Sequence, residues 1–151
     1  LKEACLDPGH FEKMKVGLAY SLFNHDTGAA LRYLVQAGKI PKEALTTAWF
    51  FEVCFKWFKV MSSRTTKLAI SHLDDQKHSD ILDFLNDMIH LFERVKIGTA
   101  SKTVWKPVQT GVVLVTTLAL QLQDYYLNKK EFFCVLLSRF GQDALENLFS
   151  T

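Results

Sequence analysis

Phe132-Phe133-Cys134-Val135-Leu136-Leu137-Ser138-Arg139-Phe140-Gly141-Gln142-Asp143-Ala144-Leu145-Glu146-Asn147-Leu148-Phe149, close to the end of the chain, is the stretch on which the fold class turns. Its opening half, Phe132 to Leu137, is short, continuously apolar and bounded by polar residues, the pattern of a buried strand. Gly141 then turns the chain into an amphipathic helix. Asp143 and Glu146, three residues apart, share one face of that helix. Carboxylates so placed suit a hard divalent cation such as Mg2+, which prefers oxygen ligands and keeps waters for phosphate substrates. The same spacing also describes an N-cap and its capping-box partner. One strand cannot satisfy its own backbone groups, so its neighbours are expected outside residues 1–151 or in another chain. A boundary is therefore expected near residue 130, with residues 1–130 forming one domain and 131–151 opening another.

Upstream the periodicity is helical. Asp7-Pro8-Gly9 forms a turn, after which Phe11, Met14, Leu18 and Leu22 mark a first amphipathic helix. Asn24, Asp26 and Thr27 supply stop and start signals for a shorter helix through Ala30, Leu31, Leu34 and Val35, closed by Gly38. Pro41 suits a helix start. The segment 42–61 is apolar around most of its circumference, with Trp49, Phe50, Phe51, Phe55, Trp57 and Phe58, and Glu52, Lys56 and Lys59 form its one polar stripe; it is expected to be the central buried helix. Residues 62–77 read as a polar connection. His72, Asp74, Asp75 and His78 are metal-ligand types without a ligand spacing, which favours a solvated loop or a helix cap. Ile81, Leu82, Leu85, Met88, Ile89 and Phe92 mark another helix, and 98–107 reads as a loop. Residues 108–127 begin β-branched, but Leu114, Leu118, Leu122 and Tyr125 persist at helical spacing, so this stretch is read as a helix.

At 151 residues and 48% hydrophobic content the chain is large enough for one compact core. Its net charge of +2 names no partner. The basic pairs Lys13 with Lys15, Lys56 with Lys59 and Lys129 with Lys130 are explained by solvated helix faces. Cys5, Cys54 and Cys134 lack any C-x-x-C spacing, which argues against a disulfide framework or structural zinc and for a reducing compartment. The longest weakly polar run, 111–120, is too short to span a bilayer, and no membrane association is expected. The chain opens at Leu1 without Met, so it is expected to be part of a longer protein.

The string from Leu137 to Ser150 resembles the signature of the P-element-like, THAP-type DNA transposases, a run of the form (T/S)R-x-x-QD-x-LEN-x-F. Two more stretches are similar to the same family. Asp7 to Ala19 resembles the opening of its helical insertion domain, and Thr47-Ala48-Trp49-Phe50-Phe51 through Ser63-Arg64 resembles its T-x-x-F-(I) … FD-x-L-NSR stretch. The resemblance thus covers nearly the whole chain. It implies a mainly α fold in which a helical, GTP-binding-type insertion domain, residues 1–130, interrupts an RNase H-like fold that resumes in a short strand and helix at 131–151.

By the same resemblance Glu146 is the third acid of a DDE catalytic site and a Mg2+ ligand. Lys15 and Val16 match a lysine–valine pair that contacts the nucleotide, Phe58 matches the phenylalanine of the second string, and Asp143 matches an acid beside the nucleotide. Lys59 stands where that string has aspartate, Ser62 where it has asparagine, and Asn24 where a serine is expected. An acid accepts from guanine N1–H and its 2-amino group, whereas lysine has donors only, so GTP binding is expected to be weakened or absent. Two earlier aspartates and a zinc-dependent DNA-binding domain belong upstream, so this chain alone is expected to be inert. The implied partners are DNA at transposon ends, those upstream domains and a second copy as a possible homo-oligomer, and the implied location is nuclear. A domesticated, non-catalytic descendant serving as a DNA-binding or protein-interaction module is the alternative. A third reading, without transposase ancestry, is a helical adaptor whose exposed aromatics meet a partner helix.

Overall fold

The structure is a computed structural model that describes residues 5–7, 9–10, 16–99 and 102–141. Within them the fold is mainly α, as expected. The chain forms two compact units, one ending at Phe58 and the other beginning at Lys59.

The first unit contains α1 (Val16–Leu22), α2 (His25–Gln36) and most of α3 (Ala44–Met61). Asn24 starts α2 as the sequence predicts. Its backbone is extended, and its side-chain oxygen accepts from the Thr27 N–H at 2.7 Å, satisfying a donor that has no partner inside the helix. Gly38, at φ +68°, takes the left-handed conformation that closes α2. A side chain at Gly28 would meet Glu52 Cγ at 2.8 Å and the Ala48 carbonyl at 3.3 Å, so this glycine lets α2 and α3 approach closely. Glu52 is held there by Arg32, whose Nε and Nη2 donate to its two carboxylate oxygens at 2.9 and 2.6 Å.

Two expectations for α3 need correction. Pro41 does not occupy its first position, because a turn closed by Ala44 N–H to the Pro41 carbonyl comes first and the helix begins at Ala44. Nor is α3 centrally buried. Ala48, Cys54 and Val60 are buried, but Trp49 is 45% exposed and Phe50, Phe51, Phe55, Trp57 and Phe58 are half-buried. With apolar groups all round, the helix has more apolar surface than it buries. Phe23 meets Phe50 and Phe51 edge to face, and Tyr20 packs on Phe55 and Phe58.

The second unit is built on α4 (Asp75–Arg94) and α5 (Pro107–Gln123). Asp74 caps α4 by accepting from the Lys77 N–H at 3.0 Å, and Ile81, Leu85, Met88 and Phe92 form its buried stripe. The 98–107 loop contains a short hairpin, with β2 (Gly98–Thr99) antiparallel to β3 (Lys102–Thr103). Helix α5 continues as a π-helical turn, Asp124–Lys129.

Helix α5 is turned the opposite way from an ordinary amphipathic helix. Its buried residues are Gln109, Thr116, Ala119 and Gln123, whereas Val108 is 55% and Leu114 65% exposed, with Val115 and Leu118 beside them. The buried polar groups are satisfied. Gln109 Nε2 donates to the Phe92 and Val95 carbonyls at the end of α4 (3.1 and 2.9 Å), its Oε1 accepts from the Lys106 N–H, and Thr116 Oγ1 donates to the Val112 carbonyl.

The apolar run near the end yields a strand of two residues, β4 (Cys134–Val135). Its partner lies within this chain, contrary to the expectation that it would be found elsewhere: β1 (Ile70–Ser71), in the supposed polar connection, pairs with it antiparallel, Ile70 opposite Val135 and Ser71 opposite Cys134. Ala69, Ile70, Val135 and Leu137 are buried around this pair. A short 3-10 turn, Leu137–Phe140, follows. Among the described residues no helix is long and apolar enough to cross a membrane.

Candidate functional site

Lys15, Asp143 and Glu146, expected at the nucleotide and metal sites, lie outside the described residues. Val16 is the first residue of α1. Phe58 sits near the end of α3, half-buried, its ring 6.5 Å from Tyr20 and 5.3 Å from Trp57 in edge-on contacts. Lys59 and Ser62 are exposed.

In the first unit two open cavities flank Asn24. One of about 690 Å³ is bordered by Leu18, Ser21, Asn24, Asp26 and Leu31 among others; a second of about 360 Å³ is bordered by Tyr20, Ser21, Asn24, His25, Asp26 and Phe55. Phe58 borders neither, and its ring meets that of Tyr20, which borders the second. Both ends of the Asn24 amide are engaged, since Nδ2 donates to the Ser21 carbonyl at 2.6 Å while Oδ1 caps α2. This side chain is therefore occupied in holding the α1–α2 corner.

The second unit brings together two of the sequence strings. Ser63, fully buried, accepts the Leu137 N–H on its hydroxyl oxygen at 3.1 Å, and its carbonyl accepts both the Ser138 hydroxyl at 2.7 Å and, more weakly, the Ser138 N–H at 3.4 Å. The turn that leads into Gly141 is thus fixed to the residue following α3 and Ser62, across a separation of 75 positions. The sequence places Ser63 in one motif and Ser138 in another, but carries no sign that they touch.

Beside this turn lies an aromatic corner whose rings the sequence assigns to separate features, Tyr126 to the 108–127 helix, Phe132 to the buried strand and Phe140 to the terminal string. Tyr126, on the π-helical turn, holds the rings of Phe132 and Phe140 at 5.4 and 5.5 Å, tilted by 36° and 41°. The three rings, with Cys134, Val135, Leu136 and Arg139, line an open cavity of about 310 Å³. Phe132 is 53% and Phe140 48% exposed; Arg139, also exposed, lines the cavity, and Lys129 and Lys130 are exposed on the chain between Tyr126 and Phe132. Lys130 Nζ lies 5.5 Å from the centre of the neighbouring Tyr125 ring. The adjacency of Lys129-Lys130 to Phe132-Phe133 is the sequence signal that could have marked this corner.

His72 and His78 touch, ring centres 4.4 Å apart, each with Nε2 against an amide oxygen, of Asn128 at 3.1 Å and Gln123 at 3.2 Å. Asp74 is a helix cap, and among the described residues no group of three or more His, Cys, Asp or Glu side chains is placed to hold a metal ion. Burial pushes the Cys54 thiol up to about 11, which makes it a poor nucleophile at neutral pH.

No protein-family model matches the chain. It is nonetheless similar, along almost its whole length, to a transposase. The Transposable element P transposase of Drosophila melanogaster is 29% identical over 142 residues, 92% of this chain and 18% of that protein, so the chain spans under a fifth of its relative's length. Among solved structures, the Drosophila P element transposase strand transfer complex shares the fold, with a TM-score of 0.82 at 24% identity, covering 99% of this chain and 34% of the chain it matches.

Proposed function

We propose that this chain is a segment of a P-element-like DNA transposase: residues 1–130 its helical insertion domain and 131–151 the resumption of its RNase H-like fold. The boundary near 130 separates parts by ancestry, whereas the division at residue 58 separates them by compactness, and the two are different properties. The observation that carries the reading is the tie between Ser63 and Ser138, which joins the second family string to the terminal one. Similarity over 92% of the chain supports it. In the intact protein Glu146 is the third of the acids that hold Mg2+ for hydrolysis and strand transfer at DNA ends, with Asp143 close to it in the motif. Two cations held by converging carboxylates activate the attacking oxygen and stabilise the leaving one. Glu146 alone cannot do this, so the present chain is inert without the upstream aspartates. The whole protein acts in the nucleus, on DNA.

Metal-dependent cleavage of transposon-end DNA by the full-length protein tests the reading. Glu146→Gln lowers the rate at least about 100-fold, because even outer partners of a metal ligand cost up to that much. Equal rates for both proteins overturn it.

The nucleotide side of the family pattern is eroded. Lys59 replaces the guanine-reading acid, and Asn24 is engaged as a helix cap, so GTP binding through Lys15, Val16 and Phe58 is weak or lost. These departures favour, as the second reading, a domesticated descendant that retains DNA or protein binding without chemistry. Calorimetric titration with GTP, against ATP as control, is expected to give no guanine-specific heat; micromolar, guanine-selective binding would show the pocket intact.

A further inference from the structure

We propose that the aromatic corner formed by Tyr126, Phe132 and Phe140 is a stacking site for a base of single-stranded DNA. The choice of DNA rests on the transposase reading above; the stacking itself rests on the geometry of the corner.

Three aromatic rings gathered round one cavity, two of them half exposed, are costly to leave in water unless something flat and apolar covers them. The cavity of about 310 Å³ has the size for one planar ring system and is open enough to admit a strand. Its rim selects the ligand. Arg139 lines the cavity wall, and Lys129 and Lys130, with the acid Glu131, lie in sequence between Tyr126 and Phe132, all three exposed. A base has a π-face for the rings, and its phosphates carry negative charge for the three cations. Non-sequence-specific single-strand sites combine these two elements, aromatic platforms and a cationic track, in the same way. A duplex keeps its base faces stacked inside and cannot use the rings. A purely apolar protein segment leaves the three cations without counter-charge.

Fluorescence anisotropy of a short labelled oligothymidylate with the full chain reads the site directly. Phe132→Leu and Phe140→Leu keep apolar volume but remove the π-face, and each is expected to weaken binding about tenfold, within the range of one lost base stack. Thermal melting of each variant checks that the fold is kept. Lys129→Gln with Lys130→Gln is expected to lower affinity and to flatten the salt dependence by about 1.4 units of slope, as two lost phosphate contacts to a single strand require. Unchanged affinity in both leucine variants overturns the proposal, as does competition by duplex DNA equal to that of the single strand. Tighter binding of oligouridylate than of oligothymidylate overturns the assignment to DNA. The two readings fail separately: leucine variants that bind normally while cleavage still depends on Glu146 defeat the stacking site alone. Loss of the Glu146 dependence with stacking intact defeats the transposase reading alone.

Discussion

Single side chains in this protein do more positioning than their residue types suggest. Arg32 and Glu52 form a two-point ion pair between α2 and α3 directly over Gly28, where any larger residue would collide with the glutamate. The hydrogen bond from Arg32, more than the bare charge, holds the Glu52 carboxyl below the usual carboxylate range. A depressed pKa stabilises the fold above the ordinary glutamate value, and that contribution disappears as pH falls through the folded one. Arg32→Gln is therefore expected to lower Tm slightly at neutral pH, and the gap to the parent protein closes as pH drops below about 4. Melting curves across that range check it, and a gap that persists in acid assigns the pair no electrostatic role. The pair is partly exposed, so the effect is small. Asn24 was legible as a helix signal because capping is a local act. Arg32 with Glu52, and Ser63 with Ser138, were not, since nothing in one segment announces its distant partner.

Among the elements, α4 was the easiest to read and α5 the most misleading. Apolar residues at helical spacing identified both, and for α4 the stripe is also the face that packs. In α5 the packing face is polar, with Gln109 inserted among the last carbonyls of α4. Periodicity reports that one face is apolar, not which face meets the rest of the fold. Gln109→Ala removes three hydrogen bonds and strands two carbonyls, so it is expected to cost about 2–3 kcal/mol. Urea denaturation measures this; a midpoint shift near zero would mean that water replaces the amide. Gln109→Glu keeps the size but loses the donor to both carbonyls, and is expected to be no better. The terminal strand failed for a related reason. Its apolar run was plain, but its partner, Ile70–Ser71, hid in a polar connection because two residues are too few to show alternation.

At the scale of the molecule, the motif strings proved more informative than composition. Three cysteines, a small net charge and average hydrophobicity named no activity, whereas strings at 47–64 and 137–150 pointed to the proteins that the chain matches in sequence and fold. The expected catalytic acid lies outside the described residues, so its place in the site is a matter for the cleavage assay. The inward amides and outward aliphatic groups of α5 have a practical consequence. Val108, Leu114, Val115 and Leu118 give this chain an adhesive flank, and apolar attraction strengthens on warming. Self-association through this flank is therefore expected to grow on warming, which light scattering along a temperature ramp checks.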